Sequence, residues 1–176
     1  MHAQDLQDDL LLRVRVTTTV EHQLLRLLAS YILELSLLDR VLLAYAAPLQ
    51  AASSVLLARV LLASLRNSDT RRTRRVTVWP DELQKHSGFV AADLDSCTTQ
   101  QLQLLHGAPE NDDVEVIYQK YSRPACMRVA QLPFLECMPV QAFEDGQQFE
   151  FPVKELGILP VVDLDLTPLD RLCLLN

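Results

Sequence analysis

Hydrophobic positions fall at helical spacing along the first three-quarters of the chain, and the polar positions between them locate the breaks. Leu6, Leu10 and Leu11 follow one another at intervals that fit a helix over about 4–15, with Asp5, Asp8 and Asp9 near its start. Acids in that place favour the positive end of the helix dipole. The β-branched run "VRVTTTV" then interrupts, and Thr18 or Thr19 is placed to cap a second helix over about 20–37. That helix is apolar nearly all round. Its polar residues Gln23, Arg26, Ser30 and Glu34 recur at spacings of three and four, so they form one narrow stripe and put Glu34 at a wet edge. Ala29 and Ser36, seven apart and small, allow a neighbouring helix to approach closely. Asp39 falls between helical runs, where a carboxylate caps the next helix, and a short helix is expected over 40–46.

Pro48 fits the first turn of a new helix and not its interior. The helix after it, about 49–65, is apolar on every side and carries many Ala and Ser residues. A helix without a polar face must be surrounded, so it belongs at the centre of a bundle. The polar loop "RNSDTRRTRRVTV" comes next, then "WPDEL", with Pro80 at a helix start, acids in its first turn and Gly88 at its close. Trp79 reads as a core aromatic at that start. A further helix over 91–106 presents Leu94, Cys97, Gln101, Leu102 and Leu105 on one face and is expected to end at Gly107. The last has Asn111 or Asp112 as its cap, Val114, Ile117, Tyr118 and Tyr121 as its core face, and Pro124 as its stop. The expectation is an all-α protein with a helical domain over 1–130. Beyond it the pattern changes. Five of the nine prolines and a net charge of −6 fall in the last 46 residues, as expected of an extended or partly disordered tail, with Phe149 and Phe151 as possible anchors.

The 176 residues carry a net charge of −7, which argues against wholesale nucleic-acid binding. Val41–Ala58 has no formal charge and approaches the length of a membrane span, but Pro48, Gln50, Ser53 and Ser54 sit near its middle, and a buried helix is the better account. Cys97, Cys126, Cys137 and Cys173 form no C-x-x-C pair and have no zinc spacing to a histidine, so they read as thiols in a reducing compartment. His2, His22, His86 and His106 are scattered, no glycine-rich phosphate loop exists, and no nucleophile has an adjacent base. No enzyme activity and no cofactor, metal or small-molecule substrate is therefore expected. Arg71, Arg72, Arg74 and Arg75 fit a solvated loop, a nuclear-import or phosphate-docking patch, or a nucleic-acid contact. Thr167-Pro168 is a minimal site for a proline-directed kinase.

Five stretches in order, "YILELSLLD", "YAAPLQAASSVLLAR", "WPDELQKHSGF", "DLDSC" and "IYQKYSRPACMRVA", resemble the C-terminal cyclin box of an A- or B-type mitotic cyclin over about Leu6–Ala130. The resemblance implies a five-helix cyclin box with a central third helix. It makes Glu34, Asp39, Trp79, Lys120 and Tyr121 structural markers of that box. It also implies a non-catalytic regulatory subunit of a cyclin-dependent protein serine/threonine kinase in cell-cycle control, at work in the nucleus and cytoplasm. Cyclins of this kind carry two boxes in tandem. The first supplies the lysine and glutamate that hold the kinase and the hydrophobic patch that docks substrates, and the resemblance here is to the second. The loop Arg66–Arg75 reads as an insertion, and the tail matches no cyclin motif. One rival is a diverged cyclin-like scaffold that binds partners without activating a kinase. Another is a transcription factor with paired boxes, against which the near-neutral helical part argues, since such a protein needs a basic DNA-facing surface.

Overall fold

A computed structural model describes residues 4, 7, 19–68, 76–132 and 148–149. Within them lie five helices: α1 (Thr19–Ser36), α2 (Ala47–Ser68), α3 (Asp81–Ser87), α4 (Ala91–Gly107) and α5 (Glu115–Tyr121). Gln4 and Gln7 are also helical; the rest of the expected first helix lies outside the described residues. The predicted all-α architecture is the one observed. A two-residue antiparallel pairing joins β1 (Val76–Thr77) to β2 (Gln148–Phe149), with Val76 opposite Phe149 and Thr77 opposite Gln148.

α1 buries Leu25, Leu28, Ala29, Tyr31, Ile32, Leu33 and Leu35. Its polar stripe lies at the surface as the spacing predicts: Arg26 is exposed, and Gln23, Ser30 and Glu34 are half-buried. The helix ends where Ser36 Oγ donates back to the Ile32 carbonyl at 2.7 Å. Asp39 then takes over. Its Oδ1 accepts from the backbone N–H groups of Val41 and Leu42 at 2.8 and 2.9 Å, which stabilises this corner by about 1 kcal/mol.

The helix expected over 40–46 is not formed. Only one 3₁₀ turn, Leu42–Ala44, follows Asp39, and Tyr45 is already extended at φ −80° and ψ 148°. The next helix already begins at Ala47, so the chain has to redirect at Tyr45 after a single turn. The Tyr45 carbonyl accepts instead from Gln50 Nε2 at 3.0 Å.

α2 is the central element, and it is longer than its apolar run predicted. Residues 50–58 are all buried, as are Val60 and Leu61. α1 and α4 pack on it from two sides. Gln7 Nε2 donates to Ser54 Oγ at 2.7 Å, and Arg59 Nε donates to the Val78 carbonyl at 2.6 Å. Ala51, Ala52 and Ala58, all with 0% exposure, let those neighbours come close.

α3 closes at Gly88, whose φ of +79° is the left-handed conformation that only glycine adopts without strain. α4 buries the whole predicted face, Leu94, Cys97, Gln101, Leu102 and Leu105. Asp93 Oδ2 accepts from the Val90 N–H at 2.9 Å at the start of α4. α4 ends at Gly107 as expected, though not through a left-handed cap. The Gly107 φ is −79°, ordinary right-handed backbone, and the chain runs on into a 3₁₀ turn at Ala108–Glu110. Asn111 accepts from the Asp113 N–H at 3.0 Å and leads through a second 3₁₀ turn into α5.

Candidate functional site

Of the five predicted markers, the structure brings three together. Glu34, on the polar stripe of α1, faces the C-terminal end of α5. Lys120 Nζ donates to both Glu34 oxygens at 2.8 Å, and the Tyr121 hydroxyl donates to Glu34 Oε1 at 2.8 Å. Lys120 also stands over its neighbour's ring, with Nζ 4.9 Å from the Tyr121 centroid. The Tyr121 ring meets Tyr31 of α1 at a centroid distance of 5.0 Å and a tilt of 39°. The arrangement clamps the last helix to the first.

The two bonds of the clamp differ in weight. Lys120 is 51% and Glu34 32% exposed, so their ion pair sits in a screened environment and contributes little. Tyr121 is buried, and its bond to Glu34 is the stronger part. Burial raises the Tyr121 phenol well above its usual range, and acceptance of its proton by Glu34 raises it further. Burial likewise raises Tyr31, whose hydroxyl finds no partner among the described residues. In the unfolded chain both phenols ionise near pH ~10. Their contribution to stability is thus fully present below that pH and is lost as pH rises above it, because the unfolded state then releases protons that the folded state holds. Tyr121→Phe is expected to cost about 1 kcal/mol near neutrality. It should also make the urea midpoint fall less steeply from pH about 9 to about 11. An unchanged alkaline slope would show that Tyr121 is not held neutral by the fold.

Asp39 and Trp79 lie elsewhere and are structural. Asp39 is occupied with the corner amides. The Trp79 ring is buried at the start of α3, and its Nε1 donates to the Phe89 carbonyl at 3.0 Å. Arg71, Arg72, Arg74 and Arg75 lie outside the described residues, as do Thr167, Cys137 and Cys173.

A buried polar junction is not predicted by the spacing. Gln101 Nε2 of α4 donates to Ser36 Oγ of α1 and to the Gln50 carbonyl of α2, both at 3.2 Å. It joins the three large helices at one point and fixes their mutual register. Its one signal in the residues is a glutamine on an otherwise apolar face of α4; the groups it bonds to are not periodic and leave no trace in the spacing.

The Glu34 carboxylate is occupied by two donors and is not free to act as a base. Burial raises the Cys97 thiol, a shift only partly offset by a hydrogen bond to Ser53, so it stays in its poorly nucleophilic form. Among the described residues no group of three or more His, Cys, Asp or Glu side chains is placed to hold a metal ion. No helix among them is long and apolar enough to cross a membrane.

Residues 11–135 match the family described as cyclin, C-terminal domain. The chain belongs to the cyclin C-terminal domain family. The cyclin domain so defined takes in α1 to α5, the Glu34 clamp, Asp39 and Trp79. A curated relative, cyclin-A1-1 of Oryza sativa subsp. japonica, is 28% identical over 122 residues, covering 69% of this chain. The chain spans 22% of the length of that cyclin. No solved structure gives a match.

Proposed function

We propose that this chain is a non-catalytic regulatory subunit of a cyclin-dependent protein serine/threonine kinase of the cell cycle, of the A- or B-type mitotic kind. The observation that carries the reading is the family match over residues 11–135, joined to a fold organised round a buried α2. Cyclins are regulatory and not catalytic, and the bonding of Glu34 and the neutral Cys97 accord with that. Regulation of this kind works by binding one of two kinase conformations better than the other and so shifting their populations. A shift of that sort needs a binding body that does not itself yield, which the clamp and the Gln101 junction favour.

Affinity recovery of the tagged chain from dividing cells tests this. A cyclin-dependent kinase should co-purify in stoichiometric amount. Recovery of stable partners with no kinase among them would replace the proposal with that of a cyclin-like scaffold.

Activity in the nucleus and cytoplasm is part of the same proposal, with the loop arginines as an import patch for acidic groove recognition. Changing Arg71, Arg72, Arg74 and Arg75 together to serine is expected to leave the circular dichroism spectrum unchanged and to reduce nuclear accumulation several-fold. Equal nuclear signal in the two chains would refute the import role.

A further inference from the structure

Seven large hydrophobic residues are exposed among the described residues, and four of them crowd one corner. Leu37, Leu38, Val41 and Leu43, at 50, 52, 56 and 55% exposure, lie within seven positions between α1 and α2. Ala44, Ala46 and Ala47 beside them are exposed too. Charge at the corner comes from Asp39, committed to its capping bonds, and from Arg40, which is exposed and holds no ion pair among the described residues.

The size of the patch limits what covers it. A leucine-sized side chain presents about 100 Å² of apolar surface when bare, so four at half exposure present about 200 Å². A stable dimer buries about 800 Å² from each partner, of which these four side chains supply about a quarter, so apolar contact at this corner alone does not sustain a second copy. A patch of this extent fits a single short apolar segment.

This chain contains such a segment, outside the described residues. In Val162-Asp163-Leu164-Asp165-Leu166 apolar and acidic residues alternate strictly. An extended chain with that pattern carries Val162, Leu164 and Leu166 on one face and two carboxylates on the other. With that face down the carboxylates turn outward, where the long side chain of the exposed Arg40 can reach over the edge to meet them. Two other apolar runs of the tail, Ile158–Val161 and Leu172–Leu175, contain no carboxylate.

The reach suffices. Gln148–Phe149 is paired with Val76–Thr77, and Val78 is bonded to Arg59 of α2. Arg59 lies twelve residues along α2 from Ala47 at the corner, or about 18 Å at the helical rise. Val162 lies thirteen residues beyond Phe149, and that length extended covers about 43 Å.

We propose that Val162–Leu166 docks with its apolar face on the corner Leu37, Leu38, Val41 and Leu43, with the Arg40 side chain reaching over the segment's edge to the outward Asp163 and Asp165, so that the chain's own tail covers this surface. The docking stands apart from any kinase role and would hold whichever partner the domain serves.

The test uses the full chain with a benzophenone amino acid in place of Leu38, irradiated and mapped by peptide mass spectrometry. The expected product is an intrachain link to the peptide that holds residues 162–166, its yield reduced several-fold by Asp163→Lys with Asp165→Lys. Links between differently tagged copies, links to another part of the chain, or no link at all would overturn the proposal. Hydrogen exchange without any label gives a second measure. Backbone amides of 162–166 should exchange about tenfold faster in Leu38→Glu with Val41→Glu, both surface changes, than in the natural chain; equal rates would overturn the proposal as well.

Discussion

Replacing Trp79 with alanine is expected to cost about 3–5 kcal/mol, the usual penalty for emptying a large buried aromatic site. The ring is 1% exposed and stands where the chain turns into α3, so its loss opens a space within the core. The loss also removes the donor to the Phe89 carbonyl. Trp79→Phe separates the two effects. It keeps most of the volume and leaves that carbonyl unpaired, at about 1–2 kcal/mol. The measurement is urea unfolding followed by helical circular dichroism, since the only tryptophan is the residue removed. For a chain of this size each kcal/mol corresponds to about 2–4 °C in Tm. A loss below about 1.5 kcal/mol for the alanine variant would mean that the ring is not in the core.

A carboxylate at position 55 should be worse still. Val55 is at the middle of the buried stretch of α2 and is 0% exposed. Val55→Asp places a charge in the core, where Arg59 one turn along already donates to the Val78 carbonyl, and such burial costs several kcal/mol even after the group takes up a proton to become neutral. Total stability of a domain this size is about 5–15 kcal/mol, so the variant is expected to be largely unfolded near neutral pH. Any helical signal that returns on acidification would report protonation of the introduced group. Val55→Ala, which removes two methyl groups and adds no charge, should cost only about 1–3 kcal/mol and stay folded. A Val55→Asp chain with normal cooperative unfolding would show that α2 has a wet side, and the central-helix architecture would be abandoned.

The two variants bear on how much of the fold is visible in the residues alone. An all-apolar α2 requires enclosure on every side, and the burial of residues 50–58 meets that requirement. The Gln23–Arg26–Ser30–Glu34 stripe and the Leu94–Leu105 face are legible because periodicity records which side of a helix meets water. Periodicity does not record partners. Glu34 can be placed at an edge, but Lys120 and Tyr121, 86 and 87 positions away, are brought to it by the fold of everything between. The Gln101 junction is illegible for the same reason. The short helix expected over 40–46 fails although Asp39 caps its start, because the beginning of α2 at Ala47 leaves no room to extend the turn, and periodicity does not show where the chain redirects. α4 ends at Gly107 as expected, but without a left-handed cap, because glycine merely permits left-handed backbone and does not impose it.

The distance along the chain between Glu34 and its two partners bears on the order of assembly. Loop-closure entropy grows with the length enclosed, so contacts between successive helices come first and a closure across 86 positions comes late. Stopped-flow traces of Tyr121→Phe would register this as an unaltered refolding limb beside a faster unfolding limb. Such a bond acts as a latch on a finished structure and sets the lifetime of the native state more than the speed of reaching it.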